Sequence, residues 1–310
     1  MNERPRPLVN SAEQRPQASG VLLATAAYSL WGILPAFWKL FGAVPALEVL
    51  ANRVVFALLF TLALLAGLGR LGDLGAALRS ARERRGLALA GAFIGVNWGV
   101  FIWAVQAGRI VETSLGYYLN PLITAALAVG LFRERLRPAQ FAALALAALG
   151  VAVQFVGHGG VPWIALALAA SFACYGVAKK RTHVHPLAGL ALETAVLAPL
   201  ALAWLAFGAP APGGALLTAS PAERALLLVA GPITALPLLA FAAAAQRLSL
   251  TQLGLFQYLA PTLSLLLAVL AYNEPFTRTH ALSFTCIWAA LALFTTSAWR
   301  ARRLLQSRAT

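Results

Sequence analysis

Long apolar stretches alternate along the chain with short polar, mostly basic ones. Ten stretches meet or approach the roughly 20 apolar residues that a helix needs to cross a hydrocarbon core of about 30 Å. They run over about 20–41, 45–67, 86–107, 112–132, 137–157, 161–179, 186–207, 224–246, 250–272 and 277–299. Alternation at the strand period is absent, which argues against a barrel. The pattern predicts an all-α integral membrane protein of ten transmembrane helices.

The pattern also repeats. Displacing the chain by 140 residues aligns Ala104–Glu134 with Ala244–Glu274 at ten identities in 31 positions. Gln106/Gln246, Tyr118/Tyr258, Pro121/Pro261 and Glu134/Glu274 carry more weight than the alanines and leucines, which match readily in apolar helices. Trp31-Gly32 finds a weaker echo in Tyr175-Gly176, and Pro45 and Pro186 each open a span. The division this predicts is a tail at 1–19, five helices over 20–157, five more over 158–299, and a basic tail at 300–310. Five is odd, so the second copy inserts upside down, and inverted repeats place their solute site near the midplane between the halves.

Composition fits a membrane location and changes how the charge is read. Hydrophobic residues make up 60% of the chain and charged ones only 11%, where soluble domains need about a quarter. The net charge of +14 is topological and does not point to nucleic acid. Of 24 Lys and Arg, 19 fall on one side of the predicted bilayer, including Arg79, Arg82, Arg84, Arg85, Arg133, Arg135 and Arg137. Four fall on the other, Lys39, Arg109, Arg224 and Arg278, and Arg53 lies inside a span. The positive-inside rule then places both termini in the cytoplasm. The N-terminus carries no short apolar core with a cleavage site, so no removable signal peptide is expected. Residues 68–85, with Asp73 as a helix cap, read as a cytoplasmic turn or interfacial helix, and 208–223 as an external loop.

Enzyme signatures are missing: no HExxH, no GxSxG, no phosphate-binding glycine loop. No metal site or cofactor is expected. Asp73 is the only aspartate, and Cys174 and Cys286 form no CxxC pair. What remains is a sparse polar set within the spans. A charged group at mid-bilayer costs roughly 2.5–3.5 kcal/mol, so it faces protein or water and has a partner. Arg53 and Glu193 stand at similar depths from Pro45 and Pro186 on equivalent helices, and the symmetry axis could bring them together. Their pairing serves either bundle stability or a solute or proton path. Trp31, Asn52, Asn97, Trp98, Tyr118, Gln257 and Tyr258 add aromatics and amides that suit an amphipathic organic solute. Trp38 and Trp103 read as interface-belt residues, and Gly91, Gly95 and Gly99 as a smooth packing stripe.

At this point the chain resembles the RarD-type permeases of the drug/metabolite transporter superfamily, built from two EamA-type repeats. The resemblance spans roughly residues 20–300. It rests on Tyr28-Ser-Leu-Trp31-Gly32, Glu48 with Asn52-Arg53, Asn97-Trp98, Glu112 through Asn120-Pro121, Leu192-Glu193-Thr194, Gln257-Tyr258-Leu-Ala-Pro261 and Asn273-Glu274-Pro275. The family commonly has His where Asn52 stands, and Asn cannot relay a proton. The resemblance implies outward transport of small organic solutes.

The expectation is therefore a secondary transporter in a bacterial inner membrane, with no ATP-binding sequence, moving a small solute by alternating access. Trp31, Asn52, Arg53, Asn97, Trp98, Tyr118, Gln257 and Tyr258 would line a central cavity and Glu193 would couple protons. The alternative is a membrane scaffold or receptor with a sealed polar core.

Overall fold

The computed structural model describes residues 11–42, 44–132, 138–158, 161–180, 182–209, 214–245, 247–248 and 256–306. All regular structure among them is helical. Ten principal helices follow one another: α1 (Ser11–Lys39), α2 (Ala46–Gly67), α4 (Ala81–Gln106), α5 (Ile110–Phe132), α6 (Pro138–His158), α7 (Trp163–Lys180), α8 (Pro186–Ala203), α10 (Pro221–Ala245), α11 (Leu259–Leu266) and α12 (Arg278–Gln306), with short α3 (Gly72–Arg79) and α9 (Ala215–Thr218) in the connections. Seven helices among the described residues are long and apolar enough to cross a membrane. The segments at Trp163–Lys179 and Leu259–Ala271 are shorter and apolar.

Several boundaries differ from the sequence pattern. Helix α1 begins within the presumed tail and α12 continues to Gln306, because Glu, Gln, Arg and Ala favour helix once a span has nucleated it. Helix α4 starts at Ala81, where Ser80 Oγ accepts the Glu83 N–H at 3.3 Å. Asp73 caps nothing; its carboxylate accepts from Arg70 Nε at 2.9 Å. The ninth span is helical from Leu259, with Pro261 in its first turn where a missing N–H is harmless. Helices α8 and α11 each relax into one π-turn, Trp204–Gly208 and Leu267–Ala271. Glu134, with Arg133, Arg135 and Arg137, lies outside the described residues, as do Arg4, Arg6 and Gln246.

Helix packing exchanges the two halves. Helices α2 and α8, equivalent in the repeats, pack on each other, as do α6 and α12. The remaining main pairings come in mates: α5 on α7 with α11 on α1, α4 on α7 with α10 on α1, and α2 on α10 with α8 on α4. Helices α2 and α8 run antiparallel. Leu65, near the end of α2, clusters with Leu187, Ala188 and Ala191 at the start of α8. Glu48, at the start of α2, meets Ala215 beyond the end of α8. Close approach depends on glycine. A Cβ at Gly231 would lie 2.3 Å from the Phe56 carbonyl oxygen, so α10 sits directly on the backbone of α2. Gly91 and Gly95 would likewise strike Glu193 O and Leu197 Cδ2, both at 2.9 Å, which makes the α4 stripe a packing surface for α8.

Candidate functional site

Arg53 does not meet Glu193. Each side chain is seven residues from the start of its helix, Ala46 for α2 and Pro186 for α8. At 1.5 Å per residue that is about 10 Å in, but from opposite ends of the bundle, because the helices are antiparallel. Antiparallel packing thus separates the two positions in depth, and each charge finds its own partners.

Arg53 is 5% exposed. Its guanidinium carbon lies 4.0 Å from the ring centroid of Trp98 and 4.8 Å from that of Trp38. Its Nε donates to Thr234 Oγ1 on α10 at 3.0 Å. Trp38 is fully buried and is no belt residue: it forms one wall of this site. Neighbouring Asn97 donates its amide to Leu168 O and Ser171 Oγ, both at 3.0 Å, and accepts from the Tyr117 hydroxyl at 3.1 Å. These bonds tie α4 to α5 and α7.

Glu193, 1% exposed, receives Lys179 Nζ at 2.6 Å and the Tyr175 hydroxyl at 3.3 Å, both from α7. By its place at the end of an apolar stretch, Lys179 counts among the 19 basic residues on one predicted side of the bilayer. The signal was present: Tyr175 stands where the first repeat has Trp31, and Lys179 follows four residues later on the same helix face.

The other expected residues form separate groups. Tyr118 and Tyr258 stack at 6.4 Å, and the Tyr118 hydroxyl bonds to Thr262 Oγ1. Thr262 passes its own hydrogen to Tyr258 O, joining α5 to α11. Trp31 packs edge-on against Tyr28 at 5.2 Å and lies 5.9 Å from Phe241. Asn52 turns away from any shared site, donating to Glu48 O of its own helix at 2.9 Å. Gln257 sits half-buried in the turn entering α11.

A cavity of about 250 Å³ lies between α2, α4 and α8, lined by Leu47, Leu50, Val54, Gly95, Leu197 and Trp204 among others, and by none of the expected residues. Asn97, Trp98 and Tyr118 are instead packed among their neighbours, since amides and hydroxyls in an apolar bundle consume one another's hydrogen bonds. At the end of the bundle that holds Lys39, polar contacts tie helix ends together. Glu274 accepts the Val111 N–H at 2.9 Å and lies 3.8 Å from Lys39 Nζ, Gln106 donates to Val44 O at 3.0 Å, and Glu48 accepts the Ala215 N–H.

A helical bundle of apolar spans, with charged and amide groups buried between two interchanged halves, has the build of a multi-pass membrane transporter. The EamA-like transporter family model matches twice, over residues 18–156 and 160–296. The chain belongs to the EamA-like transporter family, within which it is a RarD-type permease. "Uncharacterized transporter YojE" of Bacillus subtilis (strain 168) is 42% identical over 93% of this chain and 97% of its own length. "Protein RarD" of Escherichia coli (strain K12) is 42% identical over 89% of this chain and 93% of its own. "Chloramphenicol-sensitive protein RarD" of Pseudomonas aeruginosa is 33% identical over 95% and 98%. One solved crystal structure superposes with a TM-score of 0.59 at 24% identity, covering 91% of this chain and 99% of that one, a likeness of fold.

Proposed function

We propose that this transporter is a secondary carrier that exports a small amphipathic organic solute across the bacterial inner membrane. Its ten spans form two inverted five-helix repeats with both termini cytoplasmic, and alternating access proceeds around the interface between them. One observation carries the reading: the paired, antiparallel helices α2 and α8 hold Arg53 and Glu193 in opposite halves of the bundle, each closed off from solvent. Movement of one repeat against the other would open each half in turn. The contacts of Glu274, Gln106 and Glu48 close the external end in the present arrangement. Glu193 is the proton-coupling group of this scheme, held by Lys179 and Tyr175 until the inward half opens. The solute's apolar part is held by Trp31, Trp98, Tyr118 and Tyr258 as they separate, with Asn52, Asn97 and Gln257 turning toward it.

The burial of both charges also suits a scaffold with a sealed polar core. Proteoliposomes holding the purified protein decide between them. Uptake of amino acids, organic acids, amines and chloramphenicol is followed with and without a pH gradient. A carrier moves at least one class faster than empty liposomes, whereas folded protein that moves none is a scaffold.

A further inference from the structure

Arg53 differs from the other cations that reach into the bundle. Lys179 faces Glu193 and Lys39 faces Glu274. Among the described residues Arg53 has no carboxylate partner. Glu48, on the same helix, spends an oxygen on the Ala215 N–H. Arginine does not shed its proton in proteins, so the charge stays. Thr234 receives the Nε hydrogen and gives its own to Ala230 O at 2.8 Å, which leaves it a fixed neutral acceptor. Two indole faces offset part of the desolvation. Two donors remain. Arg53 Nη1 and Trp38 Nε1 are both buried and have no hydrogen-bond acceptor among the described residues.

An arginine serving only to hold helices together gains most from a carboxylate on a neighbouring helix, because breaking or omitting the partner strands a charge. Here the partner is missing while donors and flat apolar walls are present together. We infer that Arg53, Trp38, Trp98 and Thr234 form the solute's anion site, and that the solute is a monoanion with a carboxylate and a flat apolar body. The carboxylate, which only accepts, takes the free guanidinium and indole hydrogens, and the body lies along the indoles. One uncompensated cation sets the charge at one. A primary amide of the same shape offers its own N–H groups to a site of donors and is refused. This inference rests on the carrier reading and sharpens it to a substrate class.

The test uses a matched trio, phenylacetate, phenylacetamide and phenethylamine, with acetate and indole-3-acetate as smaller and larger acids. Binding to purified full-length protein is read by intrinsic tryptophan fluorescence and by thermal shift. The expected result is a saturable response to phenylacetate or indole-3-acetate, at least tenfold weaker for the amide and absent for the amine. Arg53→Gln abolishes the response while keeping the wild-type unfolding temperature or exceeding it, since it removes a stranded charge. Trp38→Phe keeps a ring, loses the second donor, and weakens carboxylate binding severalfold. Silence toward all three acids, or equal binding of the amide, overturns the anion site. The two readings fail separately. Proteoliposomes that carry only neutral or cationic solutes keep the carrier and overturn this site. Carboxylate binding without transport of any solute keeps the site and overturns the carrier.

Discussion

Glu193 and Lys179 form a 2.6 Å ion pair between α8 and the last turn of α7, with the carboxylate 1% exposed and the ammonium about a quarter exposed. Removing Lys179 alone leaves a buried carboxylate without its charge partner. Breaking such pairs costs 3–5 kcal/mol when both members are buried. With Lys179 partly solvated, Lys179→Met is expected to cost about 2 kcal/mol, below that range. The double variant Lys179→Met/Glu193→Gln should recover most of it. Thermal unfolding of these two variants beside Glu193→Gln alone measures the coupling, and a double variant as unstable as Lys179→Met would remove the pair as the cause.

If Glu193 exchanges the proton that drives transport, Glu193→Gln moves solute down its own gradient but ignores a pH gradient. Counterflow and pH-driven uptake in the same proteoliposomes separate the two activities. PH-driven uptake that survives the substitution takes Glu193 out of the coupling role.

Gly231 and Gly176 offer a paired test of helix packing. A methyl at Gly231 would sit 2.3 Å from the Phe56 carbonyl oxygen, a backbone atom that cannot swing aside. Nothing lies within 4 Å of a Cβ at Gly176. Overpacking costs about 1–3 kcal/mol. Gly231→Ala should therefore lower the unfolding temperature clearly, and Gly176→Ala should leave it unchanged or raise it slightly by favouring helix.

Glu48 holds the start of α9 through the Ala215 N–H, next to Gly214, whose φ of +61° suits glycine. Glu48→Ala is expected to speed amide exchange at Ala215 and through Thr218, with little change in α2 itself. Hydrogen exchange read by peptide mass resolves the two segments, and unchanged protection at Ala215 would show that the cap is idle.

His185 opens α8, its Nδ1 accepting the Leu187 N–H at 3.4 Å. Partial burial, and then the charge of Arg70, hold its pKa below the usual 6.5, against a smaller opposing pull from Asp73. The unfolded chain therefore takes up this proton first as pH falls. This contribution to stability is complete above about pH 6.5 and declines below it, as protonation also removes the acceptor that caps the helix. Unfolding temperatures between pH 7.5 and pH 5.5 should fall less in His185→Asn, which caps without titrating. An identical slope would assign the acid loss to other groups.

Several features were legible because they are properties of stretches rather than of single residues. The apolar segments and the repeated Tyr-Leu-x-Pro are examples. The site was only partly legible. Arg53 and Trp98 could be singled out as costly groups, but Trp38 looked like a boundary residue because its distance from the helix end was the only guide to its depth. Lys179 looked like a loop charge for the same reason. Asn52 was selected for its polarity, yet it satisfies itself on its own backbone, which no spacing rule distinguishes from a ligand-facing amide.

Sequence alone therefore determined the apolar helices, since hydrocarbon thickness and backbone hydrogen bonding dictate helix length whatever the neighbours. Tertiary structure decided the pairing of charges. Antiparallel packing sends equal positions on α2 and α8 to opposite ends of the bundle, so Arg53 and Glu193, which looked like partners along the chain, are held apart. Glu193 has a lysine, and Arg53 has two indoles, a threonine and, among the described residues, no acid. Ion pairing falls off within a few ångströms, and that is a distance only the packed helices set.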